Sequence, residues 1–336
     1  MAFSRLVDRF NKQVLNCELQ MEASFTIDAL SPDFIFGGLK GEIIDYVISS
    51  YTLSINLIYL YYWRPELQVH CGKLPYGGTG KESFVHLHVL DKGIYHAKFV
   101  LLTTTEMLRF IVMTTNITEQ MCKNCLNDYY VINIPRCKLS VPTINTERLY
   151  QFFNGYNIKL KSSIMQYDWK KVKGTILISV PEITSHAICY STLQKLPKKP
   201  QGKATICTST VYLSYNIKKV FHVQEATYQY MPVKREDFSW LEYSFAGNVT
   251  RTTMYTGRRK EPEVKEEQTY QLEVLPEDHR PYHYKRYTIE YKTKKSIKKF
   301  LIITSANLTQ AAWGTPKSAS LNAELGIVWN SKFSFN

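Results

Sequence analysis

Acidic residues are scarce in this sequence: 29 Asp+Glu stand against 42 Lys+Arg, giving a formal charge of +13 and a pI near 9.2. Such an excess favours polyanionic partners, nucleic acid or anionic lipid, without choosing between them. Cysteine is no scaffold here. The seven cysteines are an odd number scattered from Cys17 to Cys207, and the C-x-x-C at Cys122 and Cys125 has no second pair to close a zinc site. His86-Leu87-His88 alternates like a pair of strand ligands, but no carboxylate or cysteine joins it at ligand spacing, so a structural role is expected and no metal site. An N-terminal apolar stretch is also missing, because Arg5, Asp8 and Arg9 fall where a signal peptide would need one; an intracellular protein is expected. The uncharged run from Tyr46 to Trp63 holds Ser49, Ser50, Thr52, Ser54 and Asn56, too polar for a spanning helix. It reads as a helix end followed by a buried strand, Ile55 to Tyr62, and no membrane association is expected.

What is present is enough for a large core. With 336 residues, 44% hydrophobic and 21% charged, the chain suits two domains that share an interface. Its 24 Tyr, 16 Phe and 5 Trp are mostly core candidates, although rings interleaved with basic surface also suit the stacking of single-stranded ends.

An internal repeat organises the chain. Tyr95-His96-Ala97-Lys98 in the first half is echoed by Tyr282-His283-Tyr284-Lys285 in the second. Phe110 to Thr118 follows the first copy and Phe300 to Thr309 the second, with His-to-Asn spacings of 20 and 24. Each copy reads as a strand holding His-x-Lys, a turn, and a second apolar strand (Leu108 to Met113, Phe300 to Thr304) ending at Thr/Ser and Asn. In an extended strand residues two apart point the same way, so one His and one Lys can meet a single phosphate. One such motif is weak evidence; two in matching contexts make His96, Lys98, Asn116, His283, Lys285 and Asn307 candidate site residues.

Other features read as ordinary. Gly174 to Val180 is expected as a buried strand opening the second half, after a helix over Asn145 to Tyr156, with a domain boundary near residue 169: residues 1–169 carry the first motif and 170–336 the second. Lys195 to Lys203 and Arg258 to Gln268 read as exposed loops, and Lys292 to Lys299, with five lysines, as a hairpin connection that contacts a DNA backbone or only solvent. Gly77-Gly78-Thr79-Gly80-Lys81 lacks the Ser/Thr and the leading Gly of a phosphate loop, so it reads as a surface turn. The Asn-x-Thr triplets at Asn116, Asn248 and Asn307 read as incidental without a secretion signal.

On these motifs the chain resembles the phospholipase D superfamily and, within it, the tyrosyl-DNA phosphodiesterases acting on 3′ ends. The superfamily pattern His-x-Lys-x4-Asp is not completed, since Thr103 and Glu290 stand at the Asp positions, whereas the tyrosyl-DNA enzymes use a later Asn, as Asn116 and Asn307 are placed here. T-S-A-N-L-T-Q-A-A-W-G from Thr304 to Gly314 and A-E-L-G from Ala323 to Gly326 are similar to that family's C-terminal signature. Weaker likeness covers Ala29 to Pro32, His86 to His88 and Ile176 to Pro181; residues 200–275 match poorly.

The resemblance implies an α/β fold of two similar α-β-α domains with mixed sheets related by a pseudo-twofold. It implies that His96 is the nucleophile and His283 the general acid and base. Lys98, Lys285, Asn116 and Asn307 would bind phosphoryl oxygens, and Glu324 would orient a catalytic histidine. Asn127 stands where the family has a supporting glutamine, Ser209 is a candidate for a phosphate-site serine, and Lys92 replaces an expected ring, leaving base stacking weaker or to Tyr95. The implied activity is hydrolysis of a tyrosine, or another blocking group, from a DNA 3′ phosphate through a phosphohistidine, without cofactor or metal, by a nuclear monomer whose partner is DNA. A superfamily nuclease or lipase, for which Glu290 gives some footing, and an inactive DNA-end binding module remain as alternatives.

Overall fold

A computed structural model of the chain describes residues 18–25, 32–124, 127–181, 202–208, 225–229, 252–255, 270–272, 283, 285–292, 296–307, 309–313 and 320–334. Ser209, Arg258 to Gln268 and Ala29 to Ser31 lie outside the described residues. No helix among the described residues is long and apolar enough to cross a membrane.

Two mixed sheets are built on one plan. The first contains β1 (Glu18–Phe25), β2 (Ile43–Ser50), β3 (Leu67–Cys71), β4 (Val85–Leu87), β5 (Phe99–Thr104), β6 (Met107–Met113) and β7 (Asn127–Pro135), in the order β1-β7-β6-β5-β2-β3-β4. The second contains β8 (Thr175–Ser179), β9 (Gly202–Thr208), β10 (Glu225–Gln229), β11 (Thr252–Tyr255), β12 (Tyr270–Leu272), β13 (Lys285–Lys292), β14 (Ser296–Thr304) and β15 (Glu324–Ser334), in the order β12-β11-β10-β9-β13-β14-β15-β8. Read from β1 and from β8, both run through the same succession: four antiparallel pairings, then parallel ones. The two motif hairpins, β5–β6 and β13–β14, are equivalent in the two sheets.

Side-chain alternation explains the layers. Along β5, Phe99 and Leu101 join one apolar cluster while Val100 and Leu102 join the other, and β6 and β7 divide in the same way. These central strands are thus covered on both faces, which is why they read as unbroken apolar runs. One cluster lies under the short helices α1 (Pro32–Phe36) and α2 (Ile55–Leu57), α2 continuing as a π-helical turn Ile58–Tyr62. The other crosses from the first sheet to Ile176, Ile178, Ile303 and Leu325 of the second, so one core joins the two sheets.

The helix that closes this shared core is α4 (Ile144–Gly155), following the short α3 (Glu119–Asn124). Thr143 caps it, accepting from Thr146 N–H while the Thr146 hydroxyl accepts from Thr143 N–H, a reciprocal capping box. Leu149, Phe152 and Phe153 enter the core, and Asn145 stitches the helix to β8 by donating to the Gly174 carbonyl (2.9 Å) and accepting from Ile176 N–H (2.8 Å). The expected helix is therefore present with an earlier start.

Three expectations change. Ile55 to Tyr62 is helical, not a strand: only Ile55, Ile58 and Tyr62 are buried, a helical period that the apolar content of the run concealed. His96 and Lys98 do not lie within a strand but in the extended lead-in to β5, and His283 immediately precedes β13. The loop expected over Lys195 to Lys203 gives way to strand at Gly202, where β9 pairs with β13.

Candidate active site

The lead-ins to β5 and β15 meet where the sheets abut. Tyr95 and Ala323 form an isolated bridge, with His96 N–H donating to the Ala323 carbonyl (2.9 Å) and Ala323 N–H to the Ile94 carbonyl (2.9 Å). Gly93, at φ +89°, allows this approach: a Cβ there would lie 2.1 Å from the Leu321 carbonyl oxygen. The bridge brings the Glu324 carboxylate to Nδ1 of His96, at 3.0 Å from Oε2 and 3.1 Å from Oε1. Glu324 is itself fixed, accepting from the Ser305 hydroxyl (2.5 Å) and Asn322 Nδ2 (3.1 Å). With Nδ1 held by the carboxylate, the imidazole has a set orientation and tautomer.

Charge makes the two histidines unequal. Burial holds His96 down at about 4; Glu324 pulls it up, and Lys98 and Lys285 push it down. His283 lies well below its usual value through burial, then the positive Lys285 and Lys98, with His96 opposing its protonation as well. Both imidazoles are therefore neutral at pH 7 with the site empty. Lys98, buried, donates to the His96 carbonyl (2.8 Å). Lys285 donates to the Thr114 carbonyl of the first sheet (3.2 Å), and its Nζ lies 3.4 Å from the His283 ring nitrogens. Burial and then Lys285 hold Lys98 well below the usual lysine range, so two buried lysines converging on two neutral imidazoles form a site whose charged forms an anion would favour.

The ends of the motif hairpins repeat one hydrogen-bond pattern. Ser305 N–H donates to the Leu325 carbonyl (2.9 Å) and Leu325 N–H to the Ser305 hydroxyl (3.0 Å); Thr114 N–H donates to the Asp128 carbonyl (3.1 Å) and Asp128 N–H to the Thr114 hydroxyl (2.9 Å). Thr114 is thus the counterpart of Ser305, and Asn127 the counterpart of Glu324. Asn127 Nδ2 donates to the Met121 carbonyl (3.0 Å). Asn116 is buried beside the Ser50 hydroxyl (3.5 Å), and Asn307 is half-buried at the matching hairpin end.

Several sequence readings can be placed. Trp313 is buried edge-on to Tyr287 (5.0 Å), whose hydroxyl donates to the Ala306 carbonyl (2.9 Å), so the A-A-W segment braces the turn leading to Asn307. Glu290 pairs across the hairpin with Lys299 (3.5 Å) seven residues beyond His283, away from the site. At Thr103, the other Asp-like position, the hydroxyl donates to the Asp45 carboxylate (2.7 Å), so β2 brings a carboxylate that the motif itself lacks. Tyr95 is wholly buried and stacked on His88 (4.5 Å), so it offers no face to a base. Among the described residues, Tyr51 has its ring 5.5 Å from that of His96. His86 and His88 form a stack with His70, in which His70 Nδ1 and His88 Nε2 share a hydrogen bond of 2.9 Å. Among the described residues no cluster of three or more His, Cys, Asp or Glu has metal-binding geometry. The 77–81 segment is a surface turn, with Gly77 and Gly80 at positive φ.

Comparison with known proteins now bears on this geometry. Residues 215–336 match the tyrosyl-DNA phosphodiesterase family, reaching back into the stretch whose sequence pattern had seemed poorly matched. Over that stretch the chain is similar to the tyrosyl-DNA phosphodiesterase family. The yeast tyrosyl-DNA phosphodiesterase superposes with a TM-score of 0.64 at 14% identity, covering 92% of this chain and 89% of that one. A histidine mutant of the yeast enzyme gives 0.65 at 14% identity, over 94% and 88%. Those likenesses show a fold of two similar domains, the arrangement that the resemblance implied. A sequence comparison with curated proteins finds no match.

Sequence reasoning missed Thr114, Asp128, Arg286, Ser305 and Asn322. Thr114 and Ser305 had a signal, each standing two residues before the asparagine of its hairpin; Asn322 supports Glu324 two residues on, and Asp128 meets Arg286 only across the two sheets.

Proposed function

We propose that this phosphodiesterase hydrolyses the bond between a DNA 3′ phosphate and tyrosine, with His96 as nucleophile and His283 as general acid and base. The observation that carries the reading is the unequal mounting of the histidines, Glu324 on Nδ1 of His96 and two lysines around His283. A neutral, oriented imidazole with Nε2 opposite its carboxylate is suited to attack phosphorus. Its attack forms the N–P bond and breaks the P–O bond to tyrosine, while His283 gives its proton to the departing phenolate oxygen. Water then attacks phosphorus, His283 takes its proton, and the N–P bond breaks to leave a 3′ phosphate.

His283 must be protonated for the first step, yet the empty site keeps it neutral. The substrate resolves this: a phosphodiester anion between Lys98 and Lys285 offsets their field and raises the affinity of His283 for a proton. Lys98, Lys285, Asn116 and Asn307 neutralise and orient the phosphoryl oxygens, work that other enzymes assign to metal ions. We place the domain division near residue 169 and the protein in the nucleus, acting as a monomer.

The test is release of tyrosine from a 3′-phosphotyrosyl oligonucleotide in EDTA by wild type, His96→Ala and His283→Ala. Release by wild type, absent in His96→Ala, is expected. Activity that requires magnesium, or persists in His96→Ala, overturns the reading.

A further inference from the structure

One charged pair lies beside the site without belonging to its machinery. Asp128, in β7, is wholly buried, and Arg286, in β13, holds its carboxylate through Nε on Oδ2 (3.1 Å) and through Nη2 on Oδ1. A buried carboxylate is costly unless paired, and a two-point guanidinium contact is a directional way to pair it. The repeat itself does not require this pair. By the hairpin correspondence, Leu325 is the counterpart of Asp128 and Phe99 that of Arg286, both apolar.

Its position ties it to His283. Asp128 and Thr114 exchange two hydrogen bonds, so the Asp128 main chain fixes Thr114. The Thr114 carbonyl in turn receives Lys285 Nζ (3.2 Å), which lies 3.4 Å from the His283 ring. Arg286 is the residue after Lys285 and points the other way, as neighbours on a strand do. The segment carrying His283 and Lys285 is therefore pinned to the first sheet at two points, Lys285 on Thr114 and Arg286 on Asp128. The His96 mount, Glu324 with Ser305 and Asn322, shares none of these contacts.

We propose that the Asp128–Arg286 pair is a positioning clamp for the acid–base histidine, locking the Thr114 carbonyl of one half against His283 and Lys285 of the other. The inference rests on the proposed role of His283. Loosening the clamp spoils proton delivery to the leaving group while sparing attack by His96. A good leaving group hides that loss, because it departs without a proton.

The experiment compares wild type, Asp128→Asn, Arg286→Lys and the double variant Asp128→Asn/Arg286→Gln. Two oligonucleotides are used, one ending in 3′-phosphotyrosine and one in 3′-(4-nitrophenyl) phosphate, each at a temperature where circular dichroism reports a folded chain. We expect Asp128→Asn to lower kcat on phosphotyrosine about tenfold more than on the nitrophenyl ester, because a misplaced general acid forfeits part of a ~10² to 10⁴ contribution. The double variant, which restores a neutral hydrogen-bonded pair, should recover part of the loss. Equal losses on both substrates, or none, overturn the clamp, since a merely structural defect lowers the active fraction alike for both. ¹⁵N NMR of the histidine rings, assigned with His96→Gln and His283→Gln, gives a readout independent of substrate. In Asp128→Asn the His283 signals should move and those of His96 stay. If wild type cleaves neither ester, the function reading fails, and unmoved His283 signals would separately sink the clamp.

Discussion

Oε2 of Glu324 lies 3.0 Å from Nδ1 of His96, although 228 residues separate them in the chain. The contact joins the start of β15 in the second sheet to the lead-in of β5 in the first. It sets the orientation of one histidine and gives it a basicity that the other lacks.

Glu324→Gln should keep the hydrogen-bond geometry but lose the charge that stabilises a cationic His96 during turnover. We expect kcat on a phosphotyrosyl substrate to fall on the order of 10⁴-fold, as when a histidine loses its orienting carboxylate. Because Glu324 raises the His96 value, its removal should also move the acid limb of kcat/KM to lower pH. An acid limb that rises instead would contradict the assignment.

The pH profile of the wild type carries its own prediction. With His96 held at about 4 and His283 well below its usual value in the empty site, kcat/KM should show no break at pH 6.5, where an ordinary histidine titrates: both limbs should lie below it, the acid limb as pH approaches 4. Initial rates below KM across pH 3.5 to 8 decide this.

Stability should show the opposite sensitivity to those same rings. His70 is held at about 2, His88 at about 4 and His96 at about 4, chiefly by burial, against an unfolded value near 6.5. Below about pH 6.5 the unfolded chain binds protons that the folded one refuses, so stability is fully present above that pH and is lost as pH falls toward 4. Each ring contributes at most about 1.4 kcal/mol per pH unit there. Urea unfolding at pH 7 and pH 5 should show the midpoint dropping, and His70→Gln should reduce the drop.

Gly93→Ala tests the bridge between the halves. A Cβ would strike the Leu321 main chain at a backbone angle that L residues rarely adopt, costing on the order of 2 kcal/mol and pushing Ala323 from His96. Activity should fall by more than the loss of folded protein explains, read as kcat per folded molecule.

Much of the site was legible because chemistry was repeated locally. His96 with Lys98, His283 with Lys285, and the asparagines after each hairpin lie within two dozen residues of one another, and the alternation of β6 and β14 was plain in their apolar runs. Ile55 to Tyr62 misled because a short apolar stretch satisfies helix and strand alike, and only the pattern of burial on its neighbours separates them. Tyr95 looked available for stacking until His88 covered it.

The amino-acid sequence by itself determined the duplicated hairpins, the basic balance and the phosphate-binding residue types, since these depend on spacing within single strands. Tertiary structure alone decided which histidine receives Glu324, that Thr103 is served by Asp45, and that Asp128 meets Arg286. Those contacts span 58 to 228 residues, the first between paired strands of one sheet and the other two where the sheets abut, and strand periodicity says which face a residue takes but not which strand will lie beside or across from it.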